Sequence, residues 1–457
     1  FPGPADTEKL TTYRGTGGVA LTWGRRLAFF FRFLDRNILF TPFIGEGSRL
    51  LMHRYVQDRV TAIAPFLGPD PDPYLVVAEG KLWWVQDTYT VTSAFPYSEP
   101  IVPRGPNYIR NAVKATVDAY NGTVNFYVWD ETDPIILTYR RIFGEEVFKP
   151  ATRAPEWLHK HKRYPELLFL IQTHKYQTYH MQTVSEFYSR ANQWSVPNEV
   201  FEDSKQPIEA YYVLMRRPGQ EGAEFILMKP FTPHGKEDKN LVAWMAARCD
   251  GDKYGELRLY DVSRQRLIYG PMLVEAQIST NADLSRLITL WGQSGSRVIR
   301  GNLLVIPFDN SILYVEPLYV QPDNPPVPQL RLVIVYYRYY EDTAPVEGDD
   351  TDARVWEKLA YDMTLDGALD QIFKGTPTPT IDELRSAMVG QAAARAAPSA
   401  AQPPAAVGGE VAELVRQIDF HRREAKRAHA EQDYEAEGRH LKAMDEAIQR
   451  LKRAVGL

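Results

Sequence analysis

The chain contains a single cysteine, Cys249, so no internal disulfide can form and no thiolate metal cluster can be assembled. The redox compartment is left open. Histidines do not make up the shortfall. His159 and His161 in WLHKHKRYPE are two apart, which on a helix turns them about 200° from each other, and His174 and His180 have no carboxylate at a ligand spacing. They read as solvent-facing or core residues, and neither a metal nor a cofactor is expected. Catalytic signatures are missing too. Ser294 in WGQSGSR lacks the G-x-S-x-G elbow, and Cys249 reads as the end of a helix, LVAWMAARC, instead of a beginning. GTGGVA, residues 15–20, has no GKS/T and follows no strand, so it reads as a flexible entry segment. DGDKYGE, residues 250–256, supplies too few oxygens for a calcium loop and reads as a turn between that helix and the strand ELRLY.

Membrane-spanning length is lacking in the stretch RRLAFFFRFLDRNILF, residues 25–40. A span needs about 20 mostly apolar residues, and Arg25, Arg26, Arg32, Asp35 and Arg36 interrupt this one. No stripe of Lys and Arg interleaved with aromatics recurs, and the formal net charge is -5. Both argue against a nucleic-acid partner. The opening FPGPADTEKL has neither an initiator Met nor a basic segment leading into an apolar one. It reads as the start of a piece of something longer, with targeting or anchoring elements in the missing part.

What is present describes a globular chain. Hydrophobic residues at 44% and charged residues at 24% lie near globular averages, which excludes wholesale disorder and allows a sizeable core. Composition divides the 457 residues into four zones. Residues 1–63 are helical in pattern and cation-rich, including SRLLMHRYVQDRV. Residues 64–375 alternate strand-like runs with helices. Residues 376–409 form an Ala/Pro-rich linker, and residues 410–457 read as a pair of amphipathic helices forming a hairpin. Each apolar stripe of that pair is narrow, so it needs a partner surface, either its own domain or a second copy in a homo-oligomer.

In the middle zone, YYVLMRRPGQEGAEFILMKPF, residues 211–231, is a hairpin around a Pro/Gly-rich turn. Residues 74–91 and 302–320 are two further hairpins of similar pattern, explained either by a pseudo-symmetric sheet or by convergent strand patterning. Helices are expected over 106–120 (PNYIRNAVKATVDAY), after Asp133-Pro134, over 163–181, over 279–293 and at LDGALDQIF; the acidic residues 344–364 before the last read as a peripheral loop. The irregular order predicts an α+β fold of mixed, mainly antiparallel sheets with interspersed helices. Among polar groups, Arg297 and Arg300 in SGSRVIRGN lead into an apolar hairpin. They are placed either to clamp an anionic ligand or to form structural ion pairs.

The succession PYLVVAEGKLWWVQDTYTVTSAFPYSE, NYIRNAVKATVDAYNGTVNFYVWDETDPI, RYPELLFLIQ, WSVPNE, EFILMKPFTP, NLVAWMAARCDGDKYGEL, YGPMLVEAQI and GSRVIRGNLLVIPFDNSILYVEPLY resembles the bacterial multi-pass membrane proteins of uncharacterised protein family 0182. The resemblance runs in order over about residues 25–374. It implies that about seven membrane helices precede a large soluble C-terminal portion, of which this chain would be that portion, outside the cytoplasm if the N-terminus is inside. It brings no activity, cofactor or catalytic residue with it. Two readings of function follow: assembly, scaffolding or binding at the cell envelope, or an envelope enzyme or ligand-binding module for an anionic substrate. Its implied partners are the protein's own membrane helices. It also gives residues 25–40 a setting, in which Arg25, Arg26, Phe29, Phe30 and Arg32 rest against lipid headgroups. The alternative is an ordinary core helix with arginines at its edge.

Overall fold

The structure, a computed structural model, describes residues 13–379 except 42–43, 46, 203, 217–221, 236–239, 263–267, 294, 309–310, 325 and 341–354, and also residues 383–384 and 442–443. The chain divides into two units, Phe1–Ile381 and Asp382–Leu457. Apart from residues 442–443, the expected hairpin over 410–457 falls outside the described residues, as does most of the 376–409 linker.

The glycine-rich start is anchored instead of loose. Gly18 leads into β1 (Val19–Ala20), and the Arg49 guanidinium donates to the carbonyls of Thr16, Gly17 and Gly18 at 2.8, 2.6 and 2.9 Å. After α1 (Trp23–Phe33) and α2 (Asn37–Phe40) comes β2 (Arg49–Leu50), antiparallel to β1, then α3 (Val56–Ile63). Only the second half of SRLLMHRYVQDRV is therefore helical.

The first large sheet contains β3 (Gly68–Pro69), β4 (Tyr74–Ala78), β5 (Lys81–Thr92), β6 (Tyr108–Asp118), β7 (Val124–Val128) and β8 (Phe148–Pro150). Residues 106–120 were expected to be a helix; most of them form β6. The strand is buried on both faces from Ala112 onward, so its sequence shows no in-out alternation, and Ile109, Val113 and Val117 mimic helical spacing. Between β7 and the parallel strand β8 runs α4 (Pro134–Phe143), capped by the Asp133 carboxylate, which accepts from Ile135 and Ile136 N–H. Together α3 and α4 bury Val60, Ala64, Ile136 and Phe148 against Ala112, Val113, Val117, Phe126 and Val128.

The second sheet follows α5 (Glu156–His161), α6 (Glu166–Tyr179) and α7 (Val184–Ser189). Its strands are β9 (Trp194–Ser195), then, beyond the separate hairpin β10 (Asn198–Phe201) and β11 (Ser204–Pro207), β12 (Tyr211–Arg216), β13 (Ala223–Pro233), β14 (Ala243–Arg248) and β15 (Leu257–Asp261). The hairpin read over 211–231 is present as β12–β13. LVAWMAARC is not a helix: β14 runs through it, and burial of both faces overrides the helical preference of its alanines. The DGDKYGE stretch makes the turn into β15, with a short 3-10 segment at Gly251–Lys253.

The third sheet follows α8 (Pro271–Thr280) and α9 (Ala282–Trp291) and comprises β16 (Ser296–Arg300), β17 (Leu304–Phe308), β18 (Ser311–Pro322), β19 (Gln329–Tyr340) and β20 (Val355–Asp362). The second half of the expected peripheral loop is thus β20, paired along β19, and α10 (Leu365–Phe373) then packs Ala368 against Leu313, Val315, Val333 and Val335.

The three sheets share one plan. A long strand (β5, β13 or β18) pairs over its first half with the strand before it (β4, β12 or β17). Over its far end it pairs with a shorter, earlier strand (β3, β9 or β16). Its other edge meets the next strand (β6, β14 or β19), which pairs onward with β7, β15 or β20. Where the two short partners meet, each long strand buries a polar side chain: Gln86, Lys229 or Glu316. The similarity read between residues 74–91 and 302–320 therefore belongs to a recurring five-strand unit, which the second sheet repeats.

Candidate functional site

The arginine- and phenylalanine-rich segment folds as a short helical hairpin. α1 ends where Leu34 adopts a left-handed conformation (φ 55°) and donates its N–H to the Phe30 carbonyl. Arg26 then ties the two helices together, donating from Nε to the Ile38 carbonyl at 2.9 Å and from Nη2 to the Leu39 carbonyl at 2.7 Å. Arg25 donates to the Ala20 carbonyl at 3.2 Å. No residue of α1 is buried. Trp23, Phe31 and Leu34 are 67, 66 and 77% exposed, Phe40 is 76% exposed, and Leu27 and Phe33 are exposed beside them. Phe29 and Phe30 are half-buried, and Arg32 is exposed on the same helix. The core-helix alternative does not describe this segment. An aromatic cluster of this kind left in solvent marks an interaction surface, and arginines, with Asp35 the only acid between residues 14 and 45, give it a positive cast.

Arg297 and Arg300 lie three apart on β16 and so project to opposite faces. Arg297 is exposed, 3.6 Å from the Glu202 carboxylate and 3.0 Å from the Gln321 side-chain oxygen. Arg300 turns inward. Its Nε and Nη2 reach the two oxygens of Glu316 at 2.5 and 2.9 Å, Nη2 also bonds Glu275, and Nη1 donates to Ser279 Oγ at 3.1 Å. Glu275, Glu316 and Glu199 are all buried, and Glu199 accepts the Leu303 N–H at 2.8 Å. Burial, with repulsion from Glu316, outweighs the pull of Arg300 and pushes the Glu275 carboxyl up to about 8; burial also raises Glu316. The guanidinium serves here as an internal counter-ion to surplus carboxylates.

A second buried pair had little signal in the sequence. Asp87 on β5 and Lys114 on β6 face each other in register and bond directly; Lys114 also donates to the Arg163 carbonyl at 3.1 Å and lies 5.5 and 5.4 Å from the ring centres of Trp129 and Tyr254. Burial opposes the ammonium, but the Asp87 carboxylate overcomes it and holds the Lys114 pKa above the ordinary lysine range. That is the reverse of what a catalytic amine requires. The only hint was a single charge in each of two strand-like runs, WWVQDTYTV and NAVKATV. The Cys249 thiol is buried and pushed up to about 11, chiefly by burial, which makes it a poor nucleophile.

A cavity of about 930 Å³ opens beside the end of α6 and is lined by Tyr176, His180, Arg190, Trp194, His234 and Asp261, among others. The His180 ring stacks on Trp194 at 3.7 Å, and its two nitrogens each lie 3.0 Å from a backbone carbonyl, of Tyr176 and of Asn192.

These features define an α+β protein of three related, mainly antiparallel sheets with an exposed arginine–aromatic hairpin near one end of the chain. Among the described residues no helix is long and apolar enough to cross a membrane. The chain belongs to the uncharacterised protein family UPF0182, whose family model matches residues 2–291. It is 44% identical over 375 residues to a UPF0182 protein of Pelotomaculum thermopropionicum, covering 82% of this chain and 39% of the relative. With the Moorella thermoacetica UPF0182 protein it shares 43% identity over 451 residues, 97% of this chain and 45% of the relative. A Methanospirillum hungatei relative is 42% identical over 382 residues, 82% of this chain and 40% of its own length. The chain thus spans about two-fifths of the length of these curated relatives.

Proposed function

We propose that this chain is the membrane-apposed, extracytoplasmic portion of an integral membrane protein, seated on the lipid surface through α1 and α2 and acting in assembly, scaffolding or binding at the cell envelope. The observation that carries the reading is α1 itself, a helix with large apolar side chains and arginines and no buried residue. Trp, Phe and Arg are the residues that favour the headgroup layer, where rings meet acyl chains while guanidinium groups meet phosphates. The relatives are more than twice as long as the matched segment, which leaves room for the preceding membrane helices that the family resemblance implies. An odd number of such helices leads from a cytoplasmic start to the outside. An anionic-substrate enzyme built on Arg297 and Arg300 has less in its favour, because the Arg300 fork is filled by two carboxylates.

Flotation with lipid vesicles tests the docking. The chain is expected to float with vesicles containing anionic lipid, and the double substitution Phe31→Asp and Phe40→Asp is expected to lower its partitioning by at least about tenfold. Val77→Asp, at an exposed apolar position on β4, leaves partitioning unchanged. Equal flotation of all three proteins contradicts the reading.

A further inference from the structure

The basic run HKHKR, residues 159–163, has no role in the hairpin or in the buried ion pairs' carboxylate chemistry, yet its end lines a distinct cavity of about 210 Å³. Tyr74 on β4, Lys160 on α5, Lys162 and Arg163 after it, Phe225 on β13 and Asp250 in the turn after β14 surround it. We propose that this cavity is a binding site for a small anion of the phosphate class, held by Arg163 and Lys162.

Arg163 carries the argument. Its guanidinium carbon sits 4.5 Å from the ring centre of Tyr74 and 5.3 Å from that of Tyr212, so two aromatic rings orient it. Among the described residues no carboxylate lies within ion-pair distance of it. The other half-buried and buried guanidinium groups have acceptors: Arg300 holds Glu275 and Glu316, Arg248 holds Glu224 and Glu256, Arg140 holds Glu145, and Arg26, Arg49 and Arg59 donate to backbone carbonyls. A planar fork of donors, oriented by aromatic rings and left without an acid, suits bidentate recognition of a phosphate or carboxylate.

The neighbouring charges agree. Lys162 donates to the Gly251 carbonyl at 3.2 Å and lies 5.0 Å from the Tyr254 ring. Burial, then repulsion from Lys114, holds its pKa below the ordinary value, a strain that a bound anion relieves. Lys160 is already paired with Glu156 at 2.7 Å, and Asp250, the one acid on the wall, accepts the Phe225 N–H at 2.8 Å. With Asp250 set against Lys162, Arg163 remains unmatched. The Tyr74 hydroxyl, buried beside it, makes no hydrogen bond among the described residues. Size narrows the class further. Pockets for drug-sized ligands run to about 300–1,000 Å³, so the cavity suits inorganic phosphate or the head of a phosphomonoester.

Isothermal titration of the 457-residue chain with inorganic phosphate, at ionic strength fixed by chloride, tests the site. Saturable one-to-one binding is expected, weakened at least about tenfold by Arg163→Gln and unchanged by Arg297→Gln. If circular dichroism shows that Arg163→Gln does not fold, Lys162→Gln reads the same loss. Vesicles with and without phosphatidic acid separate the two sources of the anion. Retention on phosphatidic acid that needs Arg163, without binding of free phosphate, assigns the site to a lipid headgroup; binding of free phosphate with retention indifferent to Arg163 assigns it to a soluble ion. Absence of any Arg163-dependent binding in both arms overturns the proposal. It does not touch the docking of α1 and α2, which rests on Phe31 and Phe40.

Discussion

Arg300 and Arg163 are the same residue type in opposite electrostatic surroundings. Arg300 stands among Glu199, Glu275 and Glu316, more negative charge than one guanidinium balances. Burial raises the carboxyls of Glu275 and Glu316, and repulsion from Glu316 takes Glu275 to about 8. Glu275 rises from an unfolded value of 4.5 to about 8 in the fold, so its contribution to stability is fully present below 4.5 and is lost as pH rises through about 8. Melting temperature is expected to fall from pH 6 to pH 9. Glu275→Gln, which keeps an acceptor for Arg300 but cannot ionise, flattens that decline and exceeds the native protein at pH 9; parallel pH profiles for the two proteins contradict the assignment. From SGSRVIRGN only the alternative of structural ion pairs was readable, not the acids that form them. The spacing identified an arginine, but its partners come from α8 and β18, 25 and 16 residues away in sequence. The same distance effect hid Arg163, whose character depends on rings at positions 74 and 212.

Elements were legible where their signals are local. The β12–β13 and β17–β18 hairpins carried turn residues between apolar arms, and α4 carried Asp133-Pro134 at its start, so chain chemistry alone located them. β6 and β14 were not legible because both faces are buried, and continuous burial erases the two-residue period that identifies a strand. The cover on the first sheet has a measurable worth. Phe148 on β8 is 1% exposed, with ring centres of Phe126, Phe66 and Phe143 at 5.5, 6.0 and 6.3 Å. Phe148→Ala is expected to cost about 3–5 kcal/mol, read as a fall in the denaturant midpoint at unchanged slope. A loss under about 1 kcal/mol would mean that α4 and β8 do not form the closed layer described.

At the scale of the whole molecule, repetition of one five-strand unit gives three large sheets among the described residues and buries a polar residue at the same place in each long strand. Two similar stretches suggested that repetition; the third was missed because LVAWMAARC read as helix and β9 is only two residues long. The N-terminal hairpin stands apart from these sheets, and it sets the account's central claim, that this large α+β portion rests against the membrane from outside the cytoplasm. Protease added to cells from which only the outer barrier has been removed tests that claim most directly, using the full-length protein and following fragments of this portion. The account predicts cleavage before the cytoplasmic membrane is lysed, with residues 23–40 cut last because lipid shields them. Protection of the whole portion until lysis would contradict it.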